Sequence, residues 1–268
     1  MLAADMIDTH CHLTFAQFAG RVDQVLADAQ LAGVHGAITV GTTPADCLQA
    51  QDLASRYDNV WCSAGQHPLS ADEPREWAII KKVAQHPRCV AWGELGLDNH
   101  YDDPPRSTQD SLLQDQLAFI ESCAADGLDK PIIVHCRDAV DDLLAVFGAA
   151  PLEPARYVFH CFTGSPDDAR KVLDFGASIS FTGVVTFTNA KEVAEAAKLV
   201  PADRIMVETD SPFLSPEPVR NVRPNEPKHV VHIARFLANL RGVDLPDFEH
   251  QLDANADRFF GLTPRRPV

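Results

Sequence analysis

The 268-residue sequence contains no apolar run approaching the roughly 18 residues a membrane span requires, so no membrane association is expected. It has no CxxC pair. Its 7 cysteines, an odd number, are scattered along the chain, which excludes a zinc finger and suits reduced thiols better than a disulfide framework. Positive charge is scarce, with 23 Lys and Arg against 38 Asp and Glu and a net charge of −15. Broad attachment to duplex DNA needs a basic face against the phosphates and is therefore excluded. A small metal-centred site for nucleic acid is not excluded, because divalent cations supply positive charge locally. The amino terminus lacks the basic region and apolar core of a signal peptide, so a cytoplasmic protein is expected. There is no low-complexity tract, internal repeat or linker, and no Gly-rich dinucleotide fingerprint follows the first strand-like segment.

What the sequence does have is a rhythm. Short runs rich in Val, Ile and aromatics occur at 6–12, 35–42, 59–67, 89–97, 131–137, 156–162, 177–185 and 204–212. Between them lie apolar residues at helical spacing, such as Val22, Val25, Leu26 and Ala29, or Leu112, Leu113, Gln116, Leu117 and Ile120. Helix starts are marked at Thr42 to Asp46 and at Ser165 to Asp168, where a hydroxyl residue precedes Pro and acids occupy the first turn. Strands alternating with helices imply βαβ units. Eight such units across 268 residues lead us to expect a single-domain (β/α)8 TIM barrel spanning 1–268, with an open doubly wound sheet as the alternative.

Polar residues recur at the carboxyl ends of these runs: His10 and His12, Glu94, His135, His160 and Asp210. In a barrel that end is the catalytic face, where side chains from different strands converge. Within IDTHCH (7–12), strand alternation puts His10 and His12 on one face and turns Cys11 to the other. Cys136 and Cys161 each follow a candidate ligand by one residue and are expected to turn away likewise. Imidazoles and carboxylates without thiolates suit Zn²⁺, Mn²⁺ or Fe, and with enough oxygen ligands Mg²⁺. Six such groups exceed the needs of one ion. With Glu94 bridging, they divide into His10, His12 and Asp210 for one ion and His135 and His160 for a second. Two ions about 3.5 to 4 Å apart can clamp the attacking and leaving oxygens of an in-line displacement, so the chemistry expected is hydrolysis.

The HxH pair, the later histidines and the aspartate resemble the amidohydrolase superfamily. Within it, IDTHCHL, GELGLD, IVHCRDA, FHCFTG, VETDSPFL and RPNEPKHV resemble the TatD family of metal-dependent deoxyribonucleases. The resemblance runs in order along essentially the whole chain. It implies His10, His12, Glu94, His135, His160 and Asp210 as ligands of two divalent ions (Mg²⁺, Mn²⁺ or Zn²⁺), with Glu94 shared. Much of the superfamily bridges with a carboxylated lysine, but Lys81, Lys82, Lys130, Lys171, Lys191, Lys198 and Lys228 all fall in helices, in loops or before strands. The activity implied is 3′ to 5′ exonucleolytic cleavage of single-stranded DNA or RNA, with Asp210 and Glu94 catalytic and Asp210 accepting the proton of the attacking water. The chain departs from the family at Leu69, where a second histidine often follows GxHP, and at Asp98 to Tyr101, where an aromatic pair is commoner.

Further residues carry two readings each. His67 either orients the scissile phosphate or is structural. Arg137 either contacts phosphate or closes a surface ion pair. Asn225 and Glu226 of the NEP motif are expected to bind substrate, the alternative being a rigid loop. Asp8 and Glu208, two residues before ligands, are expected to orient His10 or position water. Phe162 and Phe213 either stack bases or pack the rim. The competing functions are a hydrolase of a small amide, lactone or aminoacyl ester such as D-aminoacyl-tRNA, and a metal-binding regulator without activity. Single-stranded nucleic acid is the expected substrate; a monomer without an obligate protein partner is expected.

Overall fold

The computed structural model describes residues 6–262. Residues 1–5 and 263–268 of the expected single-domain span lie outside the described residues. The strands are β1 (Met6–Cys11), β2 (Val34–Thr39), β3 (Val60–Ala64), β4 (Cys89–Asp98), β5 (Ile132–Arg137), β6 (Tyr157–Phe159), β7 (Ser178–Phe181) and β8 (Ile205–Val207). They form one parallel sheet in sequential order. Closure of β8 onto β1 is made beyond the end of β8, by a parallel bridge between Cys11 and Ser211. There His12 N donates to Ser211 O (2.8 Å) and Asp210 N to His10 O (2.9 Å).

Helices α1 (Val22–Leu31), α2 (Pro44–Arg56), α3 (Trp77–Ala84), α4 (Arg106–Ala125), α5 (Val140–Ala149), α6 (Pro166–Phe175) and α7 (Lys191–Leu199) connect successive strands. Helices α8 (Val230–Arg241) and α9 (Leu245–Phe260) follow β8. The two helix starts read from the sequence are caps. Thr43 accepts from Asp46 N ahead of Pro44, and Ser165 and Asp168 form a reciprocal capping box. Of the residues the helical spacing selects, Val25, Leu26 and Ala29 of α1 and Leu112, Leu113, Gln116, Leu117 and Ile120 of α4 are buried, Val22 is partly buried, and Cys123 joins the buried face of α4. Inside the barrel, Ile7, Ile38, Trp61, Ile133, Val158 and Met206 form a separate cluster with Ala256 and Phe260 of α9. Helix α9 thereby plugs the amino-terminal end, leaving the carboxyl end open.

Two irregularities of register decide which side chains reach that open end. Trp92 pairs with Ile132 but Leu95 with Val134, so β4 carries one extra residue at Gly93–Glu94. This bulge lets Trp92, Leu95 and Leu97 face the helices while Ala91 and Glu94 both face inward. Gly96 continues the strand at φ 151°, where a β-carbon would strike the His135 carbonyl. A second bulge lies in β1, where Asp8 pairs with Ala37 but Cys11 with Thr39. It follows that Asp8 and His10 do not share a face.

Candidate metal centre

At the open end, a cavity of about 780 Å³ is lined by His12, His67, Glu94, His135, His160 and Asp210, among others. Its base is built around Glu94, whose carboxylate is nearly inaccessible. The two Glu94 oxygens face different partners. Oε2 lies 3.3 Å from His10 Nε2, and Oε1 lies 2.6 Å from His160 Nε2, 2.7 Å from His135 Nδ1 and 3.3 Å from His67 Nε2. On the Oε2 side, His12 Nε2 is 3.3 Å from His10 Nε2 and 3.2 Å from Asp210 Oδ1. The six candidate ligands, from five strands or their extensions, therefore converge on one point. Potential ligand atoms fall within 4.8 Å of one another in three sets: His10, His160 and Asp210; His10, His12 and Glu94; and His67, Glu94 and His135.

The outer nitrogens fix which inner ones are free. His135 Nε2 donates to Asp98 Oδ2 at 3.0 Å, and His12 Nδ1 to Val40 O at 3.3 Å. In the neutral ring each donation leaves the opposite nitrogen as a bare lone pair, aimed at Glu94 Oε1 and at Asp210 Oδ1 respectively. A lone pair facing a carboxylate oxygen at these separations is repulsive until a cation lies between them. The donor set thus fits metal ions, and a cation-free site must hold protons instead.

The titration directions agree. Burial alone would lower His160, but Glu94 and Glu208 beside it raise it well above the usual imidazole value. His12 and His135 are also raised, burial being outweighed by Asp210 and by Asp98 with Glu94. Burial and the neighbouring His160 lower His10. Burial would raise Glu94, yet His160, His67 and His10 hold it well below the ordinary carboxylate value. His12 likewise outweighs burial at Asp210 and lowers it.

Other residues fall differently from the sequence reading. Glu94 does not close β4, which runs on to Asp98; the residue that closes it is the carboxylate orienting His135. The signal was present, since Asp98 is four residues from Glu94 and so shares its face. Asp8 does not orient the His10 ring. The bulge turns it to Thr209, whose hydroxyl and amide donate to it at 2.5 and 2.8 Å, while His10 Nδ1 has no hydrogen-bond partner among the described residues. Glu208 does face inward, but toward His160, with Oε1 3.5 Å from Nδ1, and it accepts from Cys161 N at 2.5 Å.

Cys11 turns away from the cavity, its thiol donating to Ile38 O. Cys136 packs against the outer core on the helix side, as expected, and only borders the cavity, whereas Cys161, expected to turn away likewise, reaches the cavity wall. Alternation fails at Cys161 because the chain has left β6 and turns at φ 44°.

His67 accepts from Leu69 N at its Nδ1 (3.0 Å), so in the neutral ring Nε2 carries the proton and points it into the site. Arg137 lines the cavity as the last residue of β5, with its guanidinium 5.2 Å from the Tyr101 ring centre. Asn225 and Glu226 lie outside the cavity. Asn225 is fully buried, donating to Thr209 O (3.1 Å) and Phe213 O (2.6 Å) and accepting from Glu226 N, so it braces the loop carrying Asp210. Glu226 pairs with Arg21 and Lys228. Phe162 is buried against Phe181, whereas Phe213 is exposed at the cavity mouth beside Phe15, a residue the sequence reading passed over.

The family model described as TatD related DNase matches residues 7–261. The chain is 35% identical over 259 residues to the "Uncharacterized metal-dependent hydrolase YabD" of Bacillus subtilis, covering 96% of this chain and 99% of that one. It is 37% identical over 263 residues to the "3'-5' ssDNA/RNA exonuclease TatD" of Klebsiella pneumoniae, covering 96% and 98%. The crystal structure of YJJV, a TatD homologue from Escherichia coli, superimposes with a TM-score of 0.89 at 27% identity, covering 98% of this chain and 100% of that one.

Proposed function

This chain belongs to the TatD related DNase family of metal-dependent hydrolases, and from that membership we propose that it is an exonuclease releasing nucleotides from the 3′ end of single-stranded DNA or RNA. The observation that carries the reading is the double-faced Glu94. One oxygen is directed at His10 and the other at His135 and His160, so one carboxylate would serve cations on both sides. The donors fit two divalent cations, Mg²⁺, Mn²⁺ or Zn²⁺, with His10, His12 and Asp210 for one and His135 and His160 for the other. When bound, such ions would polarise the phosphodiester and lower the pKa of a coordinated water.

The remaining steps belong to the chain. Asp210 stands at the cavity surface with its carboxylate held in the ionised form, so it takes the proton of the attacking water. The His67 Nε2–H is directed into the cavity and donates to a phosphate oxygen, its orientation set by the Leu69 amide. Arg137, steadied over Tyr101, meets a neighbouring phosphate. The net charge of −15 repels a polyanion over most of the surface, which favours a single-stranded end at the cation-holding cavity over broad duplex contact.

The test is incubation of purified protein with 5′-labelled single-stranded DNA and RNA and each metal in turn. A ladder shortening from the 3′ end, abolished by Asp210→Asn, is expected. Intact oligonucleotides, together with turnover of aminoacyl esters or cyclic amides that persists in excess oligonucleotide, would overturn the reading.

A further inference from the structure

The opposite, amino-terminal end of the barrel holds a second cavity, of about 440 Å³, and its lining is basic. The chain places a cation just ahead of three of its strands: Lys130 before β5, Arg156 before β6 and Arg204 before β8. Arg258 of α9 adds a fourth, and Met206 and Phe259 supply apolar surface. The acids of this wall are Asp129 and Asp203. In a chain with 38 acidic residues to 23 basic, a carboxylate partner for each cation is the ordinary expectation. Among the described residues only Arg156 has one, Asp129 at 2.5 Å.

The cations are held by backbone instead. Lys130 Nζ donates to Cys89 O (2.7 Å), Arg156 Nη2 to Lys130 O, Arg204 Nη1 to Leu173 O (2.9 Å) and Arg258 Nη2 to Asp203 O (2.6 Å). Each guanidinium commits a single nitrogen to these bonds, Arg258 sharing its own with Asn255 Oδ1. The other nitrogens keep their N–H groups. Carbonyl anchoring fixes a cation without neutralising it, so the cavity keeps a net positive field and several oriented donors.

We propose that this cavity binds a phosphomonoester of nucleotide size, with the arginines taking the dianionic phosphate and Phe259 the apolar body. A guanidinium fork matches phosphate oxygens in pairs, and an aromatic edge beside it suits a base or ribose better than a free inorganic anion. The site lies outside the catalytic cavity and shares no residue with it.

Calorimetric titration of the metal-loaded full-length protein with 5′-dAMP tests the proposal, with inorganic phosphate as the second arm. Arg156→Gln and Arg258→Gln should each weaken dAMP binding about tenfold, the loss of one charge-assisted hydrogen-bond donor, while leaving oligonucleotide hydrolysis and melting temperature unchanged. Arg258 is exposed on α9, so its variant decides the matter if Arg156→Gln destabilises the barrel. Unchanged dAMP affinity in the folded variants overturns the proposal, and so does phosphate binding as tightly as dAMP. Failure of the exonuclease reading is separate, being scored on oligonucleotide cleavage alone.

Discussion

His135 donates its Nε2–H to Asp98 across 3.0 Å and thereby leaves Nδ1, 2.7 Å from Glu94, as the nitrogen that would meet a cation. A carboxylate behind a ligating histidine fixes the tautomer and raises ligand basicity. Asp98→Ala should therefore weaken divalent-cation affinity about 10- to 100-fold. Asp98→Asn, which keeps a carbonyl acceptor, should retain most of it. Metal titration monitored by calorimetry reads the difference, and equal affinities in all three proteins would show that Asp98 is only a packing residue.

Glu94 and Asp210 are distinguishable by what their loss removes. Glu94→Gln abolishes the charge both sets of histidines face, so bound metal measured by elemental analysis should fall together with hydrolysis. Asp210→Asn removes the proton acceptor but leaves the ring nitrogens, so some metal should remain while kcat falls by about 10²- to 10⁴-fold. Full metal content in Glu94→Gln would contradict the shared-carboxylate geometry.

Much of this site was legible because strand periodicity is rigid where the strand is regular. The HxH pair and the outward Cys11 follow from alternation alone, and the eight β/α units predicted the barrel. Periodicity ceases to assign faces where the backbone leaves the ideal strand. A bulge separates Asp8 from His10, and another, at Gly93–Glu94, resets which β4 residues face inward. Asp210 and Cys161 adopt positive φ beyond short strands, so spacing could not assign their direction. Bulges are set by pairing between strands; Gly93 marks the one in β4, but nothing local marks the one in β1. The NEP motif misled differently: a motif indicates that residues matter, and Asn225 matters through the backbone it holds.

Asn225 accordingly tests structure against contact. Its amide holds Thr209 O and Phe213 O, on either side of Asp210. Asn225→Ala leaves those buried carbonyls unpaired and should cost about 1–3 kcal/mol of stability, read by denaturant unfolding, with activity falling because Asp210 loses its bracing. Glu226→Gln alters a pair whose Arg21 side chain is 48% exposed and should cost under about 1 kcal/mol. An Asn225→Ala protein of native stability with a raised KM would restore the substrate-contact reading.

Metal removal should interact with pH in a defined direction. Without cations, His12, His135 and His160 have folded pKa values raised above the ordinary 6.5 by the carboxylates facing them. Their contribution to stability is complete below the unfolded value and is lost as pH rises through the folded values. His10 and His67, lowered by burial, do not share in this contribution. Cations replace the protons, so metal-loaded protein should not lose this contribution. The gap in Tm between loaded and EDTA-treated protein should widen from about pH 6 to about pH 8.5, and cation affinity should weaken as pH falls. A gap that narrows over that range would refute the account.

Phe213 offers the sharpest separation of binding from folding. It is 44% exposed at the cavity mouth, its ring 6.0 Å from that of Phe15, which in turn stacks on His12 at 4.6 Å. An exposed aromatic contributes little to the core, so Phe213→Ala should change stability by no more than about 0.5 kcal/mol. A base stacked on the same ring would lose about 1–3 kcal/mol, or roughly 5- to 150-fold in KM for an oligonucleotide. Phe213→Trp should keep that KM low, because a larger ring still presents a stacking face. Phe162, buried against Phe181, should show the reverse pattern, with Phe162→Ala costing stability first. Unchanged KM in Phe213→Ala would assign the ring to rim packing and leave base contacts to other parts of the cavity wall.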